Sequence, residues 1–317
     1  MSDYLTLQTG QEVVAATLFS SFREFIRDQN GQTADVHMRQ FRSYADVFQG
    51  FSSWPADSRE GQFIYRLEQL DTTTVYPLLL EIFNLYGDAA GKAQRRQIIE
   101  DLESLFVRRA VCELTTKNYN RLFVDMIRSL RSNDDFSAAA VRKFLLEQTA
   151  ETTIWPDDET FTAAWMTINF YRRLKKSKAR MILEAIELAL FNSKTEKVQI
   201  EQNLTIEHLM PKEWVKHWPL SESAATDEAK EKASNLRDEL LHKVGNLTLL
   251  TKRLNPSISN GPWSKKREKI LEHSALNMNR AFHTTTTWDE GAIFKRSEEL
   301  LKIGLKLWPV PARTNAG

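Results

Sequence analysis

Thr205-Ile206-Glu207-His208-Leu209-Met210-Pro211 opens the stretch around which this chain is organised. His242-Lys243-Val244-Gly245-Asn246-Leu247-Thr248-Leu249-Leu250 continues it, and Leu254-Asn255-Pro256-Ser257-Ile258-Ser259-Asn260-Gly261-Pro262-Trp263-Ser264-Lys265-Lys266-Arg267 closes it. In order, it supplies an acid–His pair followed by x-x-Pro, an Asn in a short apolar run, and an Asn entering a basic, helical segment. Val198, Ile200, Leu204 and Ile206 suggest an extended segment that delivers His208, with Pro211 then turning the chain away. Gly245 to Leu250 reads as the second strand of a hairpin. Between the two, Ala224 to Leu241 is rich in Lys, Glu and Ala and reads as an inserted helix.

Upstream, residues 1–198 read as helix after helix, interrupted at Pro55, Pro77 and Pro156. Ile98, Leu102, Leu105 and Phe106 form one amphipathic stripe, and Leu122, Phe123, Met126, Ile127 and Leu130 another, with a threonine at 115 or 116 as its cap. Phe161, Trp165 and Ile168 begin a third, and Ile182, Ala185 and Ile186 extend it or begin its successor. Helical spacing alone explains these apolar residues as core. Downstream, Thr287-Trp288-Asp289-Glu290 fits a capping box with Thr287 as the cap. A final helix to about Trp308 offers Ile293, Leu300, Leu301 and Leu305 for burial.

Composition narrows the function. At 317 residues the chain is long enough for two domains, or for one large domain with insertions, and its 42% apolar share can supply a core. No apolar run approaches the roughly 20 residues of a membrane span, and Met1-Ser2-Asp3-Tyr4 lacks the layout of a signal peptide. Cys112 is the single cysteine, which excludes an internal disulfide and a multi-Cys zinc site. These features favour the cytoplasm and no membrane partner. The net charge of +1 means that nucleic-acid binding has to come from local clusters. Arg172, Arg173, Lys175, Lys176, Lys178 and Arg180 make such a cluster, without an acid among them. It reads either as a solvated helix face or as a phosphate-contacting patch.

The ordered motifs resemble the ββα-metal (His-Me finger, HNH) nuclease site. More narrowly, they are similar to the C-terminal nuclease domain of the GmrSD family of modification-dependent restriction endonucleases. Val107 to Asn120, with Arg108-Arg109 and Thr115-Thr116-Lys117-Asn118, and Trp155-Pro156-Asp157-Asp158 with Phe161 resemble segments of the helical region before that nuclease. The resemblance implies a mainly α fold: a helical domain over 1–198 as a DNA-binding or coupling scaffold, an HNH finger with an inserted helix over 199–275, and a C-terminal helix over 276–317 that packs back on the body.

It also implies chemistry. Phosphodiester hydrolysis needs a base for water, a cation for the scissile phosphate, and a grip on the substrate. His208 is the base, since neutral imidazole titrates near working pH. Asn246, through its amide or its backbone, would orient His208. Glu207, at a position where the family commonly has Asp, and Asn255 would hold Mg2+ or Mn2+, with Asn260 as the rival to Asn255. The family's Lys three residues after the Asn is Ile258 here, so Lys266 would replace it as a phosphate contact, with Lys265 and Arg267 beside it. Arg172, Arg173, Lys175 and Lys176 would extend the grip. His242 precedes Gly-Asn as in the family and is a second candidate for lining the site; His217, His273 and His283 read as surface or helix-end residues.

The implied activity is metal-dependent DNA cleavage, by nicking or double-strand cutting, in a bacterial anti-phage restriction system. The alternatives are a catalytically degenerate DNA-binding module and a ribonuclease. GmrSD-like enzymes also carry an NTP-linked domain with an Asp-Gly-Gln-Gln-Arg-type motif. Neither that motif nor a Gly-rich phosphate loop is found here. The expectation is therefore a C-terminal fragment, or a nuclease subunit, that works with a separate sensor.

Overall fold

The computed structural model describes residues 1–28, 33–191, 204–216, 218–220, 226–252, 254 and 261–312. They are mainly helical, and the sheet among them has two strands. The chain divides into two units, one formed by Met1–Arg109, Leu114–Pro156 and the residues from Val310, the other by Ala110–Glu113 and Asp157–Pro309.

The first unit is built from α1 (Ser2–Thr9), α2 (Leu18–Asp28), α3 (Ala34–Gly50), α4 (Arg59–Gln69), α5 (Tyr76–Leu85), most of α6 (Lys92–Val111), α7 (Tyr119–Ser132) and α8 (Ala138–Leu146). The apolar stripes read from the sequence are its core: Ile98, Leu102, Leu105 and Phe106 are buried, as are Leu122, Phe123, Met126, Ile127 and Leu130. The threonine cap before α7 does not form. Asn118 holds the N-cap position, and the Thr115 hydroxyl accepts from the Lys117 amide instead.

Buried cations brace these helices. Glu103 accepts from Arg59 and Arg66, and Glu60 from Arg95. Arg109 donates to the carbonyls of Thr115, Glu151, Thr152 and Ile154, and Arg108 to that of Pro156. Main-chain carbonyls buried beside a loop need donors, and the Arg108-Arg109 pair supplies them.

The second unit holds α9 (Asp158–Thr167), α10 (Phe170–Arg173), α11 (Lys176–Ala189), β1 (Leu204–His208), α12 (Asp227–Leu240), β2 (Leu247–Thr251), α13 (Trp263–His273), α14 (Asn277–Arg280) and α15 (Glu290–Leu307). Residues 157–189, read in the sequence as part of the helical domain over 1–198, group here with the strands. The reason is burial: α11 packs on both β1 and β2 and carries the buried Ala179, Met181, Ile182, Leu183 and Ile186. The strands pair antiparallel from Leu204 opposite Thr251 to His208 opposite Leu247. Asn246 lies just before β2, in the 3-10 turn Val244–Asn246, rather than within the strand. The helix read between the strands is α12.

α15 starts later than expected. Asp289, not Thr287, is the N-cap and accepts from the Ala292 amide at 2.8 Å. A carboxylate there also meets the positive end of the helix dipole. Glu290 is left to pair with Arg237 at 2.5 Å.

α15 holds the turn before β2. Arg296 donates to the carbonyls of Gly245 and Leu247 at 2.8 and 2.6 Å, and the Ser297 hydroxyl accepts from the Gly245 amide at 3.1 Å. The approach is so close that a Cβ on residue 245 would lie 2.0 Å from the Ile293 carbonyl oxygen, so glycine is required.

Candidate active site

β1 ends on His208 because Pro211 and the turn before it need the chain to leave the sheet there. Asn246 fixes that exit. Its carbonyl accepts from the Leu209 amide at 2.9 Å, and its Oδ1 accepts from the Met210 amide at 2.8 Å and from Trp288 Nε1 at 3.0 Å. Its Nδ2 donates to the carbonyls of Met210 at 2.9 Å and Leu241 at 2.8 Å. Every hydrogen-bonding position of this fully buried amide is used. The Asn246 side chain bonds the chain just after His208 and just before His242, not the His208 imidazole.

The partner of that imidazole is His242. His208 Nε2 lies 3.0 Å from His242 Nδ1, with the rings nearly perpendicular at 82°. Tyr171 packs edge-on against His208, with centroids 4.4 Å apart, and stacks on His242. Burial, followed by the charges of His242, Lys212 and Lys266, pushes His208 down to about 3. Burial, Arg172 and Lys212 push His242 down to about 4. Both rings are therefore neutral at neutral pH, and His208 does not titrate near working pH as its sequence context suggested: burial leaves its lone pair free but makes it a weaker base than an exposed imidazole.

Glu207 and Lys266 form a buried ion pair beside the histidine. Lys266 Nζ lies 2.6 Å from Glu207 Oε1 and donates to the His208 carbonyl at 2.5 Å. Burial pushes the Glu207 carboxyl up, against the pull of Lys266, and pushes the Lys266 ammonium down.

Cationic side chains stand around Tyr171, which packs on both histidines. Lys212 Nζ sits 4.6 Å from the centre of the Tyr171 ring and Lys176 Nζ 5.7 Å from it. Arg172, Arg173, Lys175 and Lys176 are exposed, and Arg173 pairs with Glu113 at 2.5 Å. Lys265 is exposed too. Its neighbours differ from the sequence expectation of a basic trio at the surface: Lys266 is 1% exposed, and Arg267 donates to the carbonyls of Phe282 and His283. The helical period turns Lys266 inward with Trp263 and Ile270.

The fold thus brings Glu207, His208, Asn246 and Lys266 together from β1, the turn before β2, and α13. The expected metal ligands Asn255 and Asn260 lie outside the described residues. Tyr171, Lys212, Trp288 and Arg296 were not singled out in the sequence. Lys212 had a signal, since it directly follows the Pro211 turn. Arg296 had none, because one cation on an amphipathic helix is ordinary.

Residues 155–303 match the family model of GmrSD restriction endonucleases, C-terminal domain. This region is similar to the C-terminal domain of GmrSD restriction endonucleases. It runs from just before α9 through most of α15 and contains every site residue described above. A search of curated proteins found no significant match to the chain.

The donors of this GmrSD-like region can be tested against the divalent cation that the nuclease resemblance implies. Among the described residues there is no group of three His, Cys, Asp or Glu side chains arranged for a metal. Two hard oxygens, a carboxylate of Glu207 and the His208 carbonyl, already converge on one positive group, the Lys266 ammonium. Such donors suit Mg2+, which is commonly held by one or two carboxylates together with substrate phosphates. Glu207 is the carboxylate that stands beside His208, and its Oε1 is held by the Lys266 ammonium at 2.6 Å. Among the described residues no helix of the protein is long and apolar enough to cross a membrane.

Proposed function

We propose that the GmrSD-like region is a metal-dependent DNA endonuclease of the HNH type that serves restriction of foreign DNA, with His208 as general base. The observation that carries this reading is a neutral, buried His208 at a strand end, flanked by a buried carboxylate and packed on Tyr171, around which cations stand. DNA phosphates would approach over Lys212, Arg172, Lys175, Lys176 and Lys265. His208 takes a proton from water as the water oxygen bonds to phosphorus. The bond from phosphorus to the leaving sugar oxygen breaks, and that oxygen takes a proton from solvent. Glu207, with Asn255 or Asn260, would hold Mg2+ or Mn2+. When bound, such a cation supplies positive charge to the phosphate and leaving oxygen. Asn246 keeps the backbone after His208 in place, and Lys266 ties α13 to the same segment.

The test is cleavage of supercoiled plasmid, with Mg2+, Mn2+ or EDTA, by wild type and His208→Ala. The NTP-linked sensor that the resemblance implies is added in a parallel set. The reading requires metal-dependent cleavage that disappears in the variant. Equal cleavage by the variant, or cleavage of an RNA substrate run in parallel while the plasmid stays intact, would overturn it.

A further inference from the structure

The His208–His242 contact limits how the base can work. His208 Nε2 and His242 Nδ1, 3.0 Å apart, form a hydrogen bond in which one nitrogen carries the hydrogen and the other accepts it. In one arrangement His208 Nε2–H donates to His242 Nδ1, and the lone pair of His208 remains on Nδ1. In the other His242 Nδ1–H donates, and His208 carries its own proton on Nδ1, where it cannot act as a base. Only the first arrangement also accommodates the protonated product, since an imidazolium keeps its Nε2–H aimed at an acceptor.

His242 is well held for such a task. Leu241 is anchored through its carbonyl by Asn246 Nδ2, and the His242 carbonyl accepts from the Tyr171 amide at 3.3 Å. Its ring lies nearly parallel to that of Tyr171, at 14°. Its outer nitrogen, Nε2, is buried and has no partner among the described residues.

We propose that His242 is the positioning residue of the site: its Nδ1 accepts the Nε2–H of His208 and so leaves His208 Nδ1 as the nitrogen that takes the proton. This rests on His208 being the base. His242 touches neither water nor phosphate in this role; it sets the tautomer and the ring orientation of the residue that does.

Two substitutions separate positioning from packing. His242→Phe keeps a flat ring against Tyr171 and removes the acceptor. His242→Asn gives up the ring and keeps an amide oxygen near the place of Nδ1. The expected result is a ~10- to 100-fold lower kcat in plasmid cleavage for His242→Phe at nearly unchanged KM, with most of it recovered in His242→Asn. A packing role gives the opposite order. The second readout needs no cleavage: imidazole 15N shifts of the full chain, assigned with His208→Gln, report which His208 nitrogen carries hydrogen. Hydrogen on Nε2 in wild type and in His242→Asn, but not held there in His242→Phe, supports the proposal. Hydrogen on Nδ1 in wild type overturns it. If His208→Ala cleaves like wild type, the assignment of the base fails by itself, and the 15N shifts still decide whether His242 sets the tautomer.

Discussion

Lys266 Nζ lies 2.6 Å from Glu207 Oε1, and both residues are buried, at 1% and 8% exposure. The pair joins α13 to the end of β1 and places a positive charge against the backbone of His208. Removing one member strands the other. Lys266→Met is expected to cost about 3–5 kcal/mol of folding stability, as for other buried pairs that lose one partner. The double substitution with Glu207→Gln should cost less than the sum of the singles. Urea denaturation of the four proteins checks this, and additive losses would mean that the pair does not couple.

Asn246 satisfies two carbonyls, an amide and an indole N–H with a single side chain. Asn246→Asp preserves shape and acceptors yet loses both donors, leaving the Met210 and Leu241 carbonyls facing a carboxylate. It should lower stability by about 2 kcal/mol or more and reduce cleavage along with it. Thermal melts together with plasmid cleavage test the link. A stable variant with full cleavage would remove Asn246 from the support of His208.

The depressed histidines predict an acid limit. In an unfolded chain both groups titrate near 6.5, whereas in the fold they lie at about 3 and about 4. Below pH 6.5 the unfolded chain takes up protons that the folded one refuses. The stability that depends on their neutral state is therefore complete above 6.5 and is lost as pH falls through 4 toward 3. The urea midpoint should drop between pH 7 and 5, and the drop should shrink in the His208→Gln, His242→Asn double variant. Equal drops in the two proteins would argue that neither ring is buried neutral.

The placement of the cations predicts a division of labour among the basic residues. Lys175→Glu with Lys176→Glu should weaken DNA binding and lower the slope of log K against log salt by about 0.9 for each phosphate that is no longer neutralised. Arg267→Ala should instead lower the melting temperature, since its guanidinium serves the Phe282 and His283 carbonyls. Fluorescence anisotropy at several salt concentrations and thermal melts separate the two effects. An unchanged salt slope in the Lys175, Lys176 variant would assign those residues to an ordinary solvated face.

Local pattern was enough for the helices of the first unit, for β1 and β2 as neighbours around an inserted helix, and for the ordered Glu207-His208, Gly245-Asn246 and Lys265-Lys266-Arg267 motifs. Periodicity and motif spacing are properties of short windows, so they are written in the chain itself. Partners are not. That α11 packs on the strands and takes residues 157–189 into the second unit depends on burial between segments far apart in sequence. The same is true of Lys266, a basic residue in a basic run, which turns inward because helical period sets it beside Trp263 and Ile270 and because Glu207 waits there. His242 becomes the partner of His208 only when the Asn246 amide and Tyr171 bring two distant loops within 3.0 Å. The order of residues specifies which chemical groups are available and in what succession. Folding selects which of them meet, because hydrogen bonds and buried charges act over a few ångströms in space, whatever the distance along the chain.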